Sequence, residues 1–375
     1  MIVVGVGGMG SATLLHLARR GIRVLGLERY DIVHDYGSSH GLTRIIRLAY
    51  WEDPAYVALL RRSYELWREL EHLSHERLLY ITGSVDAGPG AGPIFSGALR
   101  SSELHGLEHE VLNGSELHQR FPGYRLPKEM QCLYQPDGGF LLPERCNLAH
   151  IGVAQSRGAE VRCREPVLEW GVGGGRCWVR TARRRYEAGR LVICAGSWAS
   201  KLITELDGLA VPERQVLAWL QPTRAELFTP EVFPVFNLEV EEGRYYGFPS
   251  FLVPGFKFGK YHHRGEQVDP DEMNREPEPE DEELLRQFAA RYFPEGAGPT
   301  LMLKTCLFTN SPDRHFILDL HPAYPEVAIA AGFSGHGYKF CSVVWEIMAD
   351  LVQRGETGHD VELFRMRRFG GGSRV

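Results

Sequence analysis

Hydrophobic positions follow two rhythms along this chain, one of strands and one of helices. Ile2-Val3-Val4 is an unbroken apolar run, the mark of a strand buried on both faces, and it leads into Gly5-Val6-Gly7-Gly8-Met9-Gly10. Leu14, Leu17 and Ala18 then recur at helical spacing until Gly21, which is placed to end a helix. Residues 22–27 read as a second strand closing on Glu28. Asp53-Pro54 reads as an N-cap followed by a first-turn proline, with a helical stripe of Tyr56, Leu59, Leu60, Ser63, Trp67 and Leu70 running to about Leu73. From about 80 to 142 short alternating segments and turns such as Pro136-Asp137-Gly138-Gly139 predict part of an antiparallel sheet.

Further on, 147–157 predicts a helix, and 161–164 and 177–181 predict small strands about the glycine turn at 171–175. Residues 191–198 read as a buried strand ending in a small-residue turn at a helix start. Residues 214–262 read as more strands, and the acid- and proline-rich 265–283 as a solvated loop before a helix from about Glu282 to Tyr292. A last strand at 327–331 runs into Gly332-Phe333-Ser334-Gly335-His336-Gly337 and an amphipathic helix over 338–353. The tail from Gly370 to Val375 is expected to be disordered. No internal repeat is visible.

Composition narrows the classes. The 375 residues carry a formal charge of -6, without the basic excess that a dedicated nucleic-acid binder uses to displace counterions. No apolar run reaches the roughly 18 residues of a membrane span, and no basic segment precedes the first strand as in a signal peptide. Seven cysteines, an odd number with no C-x-x-C pair, suit neither a zinc site nor a disulfide framework and fit a reducing, cytoplasmic setting. The histidines include no H-E-x-x-H, and Tyr261-His262-His263 has no acidic neighbour in sequence, so no metal is expected. Only six of the 42 basic residues are lysines, which gives each lysine near a plausible site added weight.

The opening segment carries specific physics. Gly5 permits a tight turn, Gly7 lets a pyrophosphate approach the backbone, and Gly10 allows close helix–strand packing. The helix N-terminus presents unpaired N–H groups and partial positive charge to the diphosphate. Glu28 can accept from ribose hydroxyls, and its charge opposes a 2′-phosphate. Strand, glycine turn, helix, strand and terminal acid together make a dinucleotide site, and they serve NAD and FAD equally. The small-residue turn at Gly196 offers a second approach to the dinucleotide. The expected fold is therefore α/β. A discontinuous Rossmann-type domain takes residues 1–80, 143–213 and 300–375. A second domain on a mixed, largely antiparallel sheet takes 81–142 and 214–299, with a ligand site at the junction.

Several separated motifs then resemble one family, that of monomeric sarcosine oxidase and N-methyltryptophan oxidase. They are Gly5 to Gly10, Ser38-Ser39-His40-Gly41-Leu42-Thr43-Arg44-Ile45-Ile46-Arg47, Tyr245-Tyr246-Gly247-Phe248-Pro249, Gly255-Phe256-Lys257-Phe258-Gly259, Cys306-Leu307-Phe308-Thr309, and Gly332 to Lys339. The resemblance runs over nearly the whole chain and implies a monomeric FAD enzyme that oxidises secondary amino acids with O2. It implies that Cys306 bonds the flavin covalently, that Arg47 and Lys339 clamp the substrate carboxylate, and that Arg44 lies near the flavin with His40 close by. Lys257 is implied to assist oxygen reduction as a fixed cation. Tyr246 and His262 are implied to line the substrate cavity, although an extra residue in this segment leaves His263 as the alternative to His262. Ser38, Thr43, Val167, Gly332, Gly335, His336 and Gly337 complete the implied cofactor site. Phe308 stands where many relatives carry tyrosine, which makes the pocket more apolar and predicts tolerance of bulkier or cyclic amino acids. A same-fold dehydrogenase serving an electron carrier is the competing expectation. A nicotinamide reductase would leave Cys306 and residues 332–339 without a role.

Overall fold

A computed structural model describes residues 1–370. The chain folds around two large sheets. In the first, Ile2–Val4 is central and parallel to Leu191–Ile193 on one side and Leu25–Leu27 on the other. Glu160–Arg162 and Tyr324–Ala331 extend it in parallel, and Ile317–His321 adds an antiparallel edge. The helices Gly8–Arg19, Pro143–Gln155 and Cys341–Arg354 pack against this sheet in one apolar cluster with Tyr56–Ser74. The central strands are buried on both faces, which is why they read as continuous apolar runs rather than alternating ones.

The second sheet has eight strands, in the order Thr300–Asn310, Val211–Leu220, Phe256–Lys260, Gly243–Phe248, Val235–Val240, Ser84–Gly88, Gln131–Gln135, Glu110–Asn113. Every pairing is antiparallel except Val235–Val240 with Ser84–Gly88. Thr300–Asn310, expected with the dinucleotide-binding segments, is instead an edge strand of this sheet. Side chains alternate across it with period two. One face carries Phe236, Tyr245, Phe256 and Phe258, buried against the helix Pro279–Tyr292, where Phe288 stacks on Tyr245 at 3.7 Å. Register places Phe248 opposite Lys257, Lys257 opposite Trp219, Tyr246 opposite Asn237, and Asn237 opposite Asp86. Those residues, with Arg244, Cys306 and Phe308, therefore share the other face.

Several expectations shift at their edges. Residues 80–142 include two helices as well as strands, Pro93–His105 and Gly114–Arg120. Their signals were local: Pro93 in the first turn and left-handed Gly106 after the last for one, an Asn113–Glu116 capping box for the other. The acid–proline segment is partly helix, since Glu278 and Asp281 form a capping box and the helix starts at Pro279. Asp53 accepts from the Ala55 N–H at 2.8 Å, one turn before Tyr56–Ser74 begins. Residues 338–340 are a 3-10 turn preceding the last α-helix. Of the expected disordered tail, Gly371 to Val375 lie outside the described residues. Among the described residues no helix is long and apolar enough to cross a membrane. All seven cysteines are free thiols.

Candidate active site

An elongated cavity runs from the first glycine turn to the functional face of the eight-stranded sheet. At its dinucleotide end lie Gly5, Gly7, Glu28, Val167 and Gly196. Gly5 has φ +84°, and a Cβ on Gly10 would sit 1.7 Å from the Gly5 carbonyl oxygen, so Gly10 is fixed by packing rather than by ligand contact. A Cβ on Gly7 would meet only Ser39 Oγ at 3.8 Å and otherwise project into open space. That gap is the cradle a diphosphate requires. Glu28 is held by the N–H groups of Val6 at 2.7 Å and Tyr30 at 3.0 Å. Burial raises its pKa, but hydrogen bonds from His34 and those amides outweigh it and keep the carboxyl ionised.

In the middle of the cavity lie Ser38, Arg44, Cys306, Phe308, Gly332, Gly335 and Gly337. Ser38 Oγ donates to the Leu307 carbonyl at 2.6 Å, tying the 38–44 loop to the strand that carries Cys306. Arg44 donates to the carbonyls of Ser38 and Thr43, and its Nη2 is 3.7 Å from Cys306 Sγ. Phe308 packs its ring over Gly335, where a Cβ would come within 2.5 Å of it. His40 and Thr43 stand behind the lining. Both His40 ring nitrogens are buried without a partner, and burial, followed by the Arg44 charge, lowers its pKa to about 3. A neutral ring with two unused nitrogens beside this cavity fits a polar heterocycle such as a flavin.

Lys257 lies behind the lining as well. Its Nζ donates to Gly41 O at 2.6 Å and to Thr43 O and Oγ1 at 2.8 Å each. Burial, then Arg44, pulls its pKa well below the usual lysine range. Two backbone carbonyls accept from it, and the Thr43 hydroxyl can accept a third hydrogen or donate to a neutral amine, so these contacts fix the position of the nitrogen whichever form it takes.

At the other end Tyr246, Tyr261, His336 and Lys339 line the cavity. Lys339 Nζ donates to the His336 carbonyl at 2.9 Å, and burial followed by Arg47 lowers its pKa to about 7. Burial brings His336 to about 3, and its Nδ1 meets Tyr50 OH at 2.6 Å. Arg47 is buried and already engaged. Its Nε donates to both Asp86 oxygens at 3.1 and 3.2 Å and its Nη2 to Glu52 at 3.0 Å, which leaves Nη1 without a partner. The expected two-cation clamp is therefore one buried ammonium on the cavity lining and, behind it, a single unengaged guanidinium corner. Burial raises Asp86 to about 6 against the opposing pull of Arg47, while Glu52, also buried, is drawn down to about 2 by Arg47.

His262 does not reach the cavity lining. Its Nδ1 is 3.0 Å from both Glu213 oxygens, and Arg314 Nη1 donates to its Nε2 at 2.6 Å, so Nδ1 carries the proton. Its ring is 6.4 Å from that of Phe308. His263 is fully buried against Asp281 at 2.8 Å, away from the site. The histidine pair thus has acidic partners after all, Glu213 and Asp281, brought in from other elements. Among the described residues no cluster of three or more His, Cys, Asp or Glu forms a metal site. Asp86, Glu52, Trp51 and Arg244 were not predicted. Only the alternation of Arg244, Tyr246 and Phe248 on one strand pointed to any of them.

Three comparisons bear on this geometry. A family model described as FAD dependent oxidoreductase matches residues 1–351. A monomeric sarcosine oxidase of Bacillus sp. (strain NS-129) is 42% identical over 98% of this chain and 96% of its own. The peroxisomal sarcosine oxidase of Homo sapiens is 34% identical over 98% and 95%, and the N-methyl-L-tryptophan oxidase of Escherichia coli (strain SMS-3-5 / SECEC) 33% over 98% and 99%. Among solved structures NikD, an unusual amino acid oxidase of nikkomycin biosynthesis, superposes with a TM-score of 0.84 at 26% identity, over 97% of this chain and 96% of that one. L-proline dehydrogenase from P. horikoshii shares the fold, with a TM-score of 0.85 at 21% identity over 98% and 96%.

Proposed function

The chain belongs to the FAD dependent oxidoreductase family, and we propose that it oxidises the C–N bond of a secondary amino acid to an imine, with O2 reduced to H2O2. Sarcosine, other N-alkyl amino acids and cyclic ones such as pipecolate are the substrate class, and imine hydrolysis releases formaldehyde from N-methyl substrates. When bound, FAD supplies the two-electron redox chemistry. The rest of the work is positional. Lys339 and the free Nη1 of Arg47 fix the substrate carboxylate. Tyr246 and Phe308 shape the wall beside the amine, and His262, held by Glu213 and Arg314, stands behind that wall. Arg44 sets positive charge near Cys306, and Cys306 is the residue that holds the flavin covalently. Lys257 supplies a fixed buried cation for oxygen reduction. The enzyme acts as a cytoplasmic monomer.

The observation that carries this reading is a cavity lined by Cys306 in its middle and Lys339 at one end, with Arg47 close enough behind Lys339 to lower its pKa and the unpartnered His40 ring behind the lining. Acid-precipitated, denatured protein should remain yellow and carry the added mass of one FAD, and Cys306→Ser should lose both. Colourless wild-type precipitate defeats the covalent bond. An absence of anaerobic bleaching by any secondary amino acid defeats the oxidation itself. A dehydrogenase that serves a carrier is the second reading, favoured by Gly41 and Thr43 already occupying the Lys257 ammonium. Peroxide formed per turnover separates the two.

A further inference from the structure

Arg244 stands on the cavity-facing side of the strand Gly243–Phe248, two residues before Tyr246 and four before Phe248, both of which line the cavity. Its guanidinium is sandwiched between aromatic rings, 3.4 Å from the centre of Tyr261 and 4.2 Å from that of Trp51. With both faces covered, only its edge can make hydrogen bonds. Nε and Nη2, which point the same way and form the fork that receives a planar carbonyl, are buried without a partner. Glu52 lies across that fork with Oε1 3.6 Å from Nη2, beyond hydrogen-bond range, and this oxygen is also unpartnered. Two unused donors therefore face one unused acceptor.

Buried polar atoms left in this state are costly unless something satisfies them. A group that offers an acceptor and a donor side by side answers all three, and a primary carboxamide does so: its oxygen takes the Arg244 fork and its NH2 donates to Glu52. A carboxylate fits less well, because it would bring negative charge against Glu52. Charge balance agrees. Arg47, Arg244 and Lys339 set against Asp86 and Glu52 leave one positive charge, which the substrate's own α-carboxylate cancels. Resting on the oxidase reading above, we propose that Arg244 is a specificity-determining residue, and that with Glu52 it selects secondary amino acids whose side chain ends in a carboxamide.

The FAD-loaded enzyme is assayed with N-methyl-L-asparagine, N-methyl-L-glutamine, N-methyl-L-glutamate and N-methyl-L-leucine, the two amides differing by one methylene of reach. The better amide should exceed leucine and glutamate in kcat/KM by at least about tenfold, since a site that hydrogen-bonds a substrate rejects the analogue lacking the group. Arg244→Met should collapse that ratio, and Arg244→Lys, which keeps charge but not the fork, should restore only part of it. Wild-type enzyme that uses leucine as well as either amide overturns the proposal without any variant. So does an Arg244→Met enzyme with a lowered melting temperature and all four substrates reduced by one common factor, because Arg244 would then only brace Trp51. If none of the four bleaches the wild-type flavin while sarcosine does, the carboxamide site falls and the oxidase reading stands. If sarcosine fails too, both fall.

Discussion

At the dinucleotide end of the cavity, neighbours along the chain do the work: Gly5, Gly7, Gly10 and Glu28 sit on one strand–turn–helix–strand unit, held by contacts among themselves. At the amino-acid end Asp86 and Arg244, aligned on one face of the large sheet, meet Arg47 and Glu52 from the segment after Arg44–Ile46 and Lys339 from the turn before the last helix. One end is rigid backbone whose conformation is the site. The other is a balance of buried charges in which each partner sets the state of the next. Damage should therefore act differently at the two ends, by steric exclusion at the first and by uncompensated charge at the second.

The largest effect is expected at Gly10. An added methyl group would collide with the Gly5 carbonyl, and backbone on both sides leaves little room to yield. Gly10→Ala should lower FAD bound per purified chain by about tenfold or more, read from flavin absorbance against protein. Normal loading would mean that the turn is more adaptable than its geometry implies.

Next comes the charge cluster. Arg47→Met strands Asp86 and half of Glu52 in the interior and should cost about 3–5 kcal/mol in denaturant unfolding. Arg47→Met/Asp86→Val should recover much of that loss, because the double change removes both ions. If the double variant is no more stable than the single one, the cluster is not held by mutual compensation.

The same contrast explains what was legible in the chain. The glycine turn, its helix and Glu28 are encoded locally, so spacing alone located them, and the apolar runs located the parallel strands. Cys306, Lys257 and Lys339 stand in motifs that resemble a family; Cys306 and Lys339 line the cavity, and Lys257 lies behind it. The state of Arg47 could not be read, because Asp86 lies in a segment whose alternation showed a strand but not its partner, Val235–Val240. His262 and His263 looked free of acids for the same reason: Glu213 and Asp281 arrive from another strand and a distant helix.

Lys339 turns the cluster into a pH dependence. With its pKa lowered to about 7 by burial and by Arg47, the ammonium is charged below that pH and neutral above it. Affinity for a carboxylate that cannot be oxidised should fall about fivefold between pH 7 and pH 8. Affinity for the matching carboxamide should stay flat over the same interval. Flavin absorbance titrations read both. A carboxylate curve as flat as that of the amide would assign the anchoring charge to Arg47 alone.

The smallest effect lies at the outer edge of the amino-acid end, where His262 is 28% exposed and sits between buried Glu213 and exposed Arg314. Burial raises the pKa of Glu213, but the hydrogen bond with His262 outweighs it, so the carboxylate stays ionised and fixes the proton on Nδ1. Glu213→Gln removes that charge while Arg314 still donates to Nε2, so the tautomer is kept but its charged acceptor is lost, as it is for Asn310 and Gln215. Glu213 is buried but glutamine keeps one acceptor for its partners, so kcat/KM should fall about threefold and stability by about 1 kcal/mol. The split between KM and kcat distinguishes orientation from mere support: loss of orientation raises KM for the amino acid with kcat little changed, whereas loss of a brace lowers the melting temperature along with both.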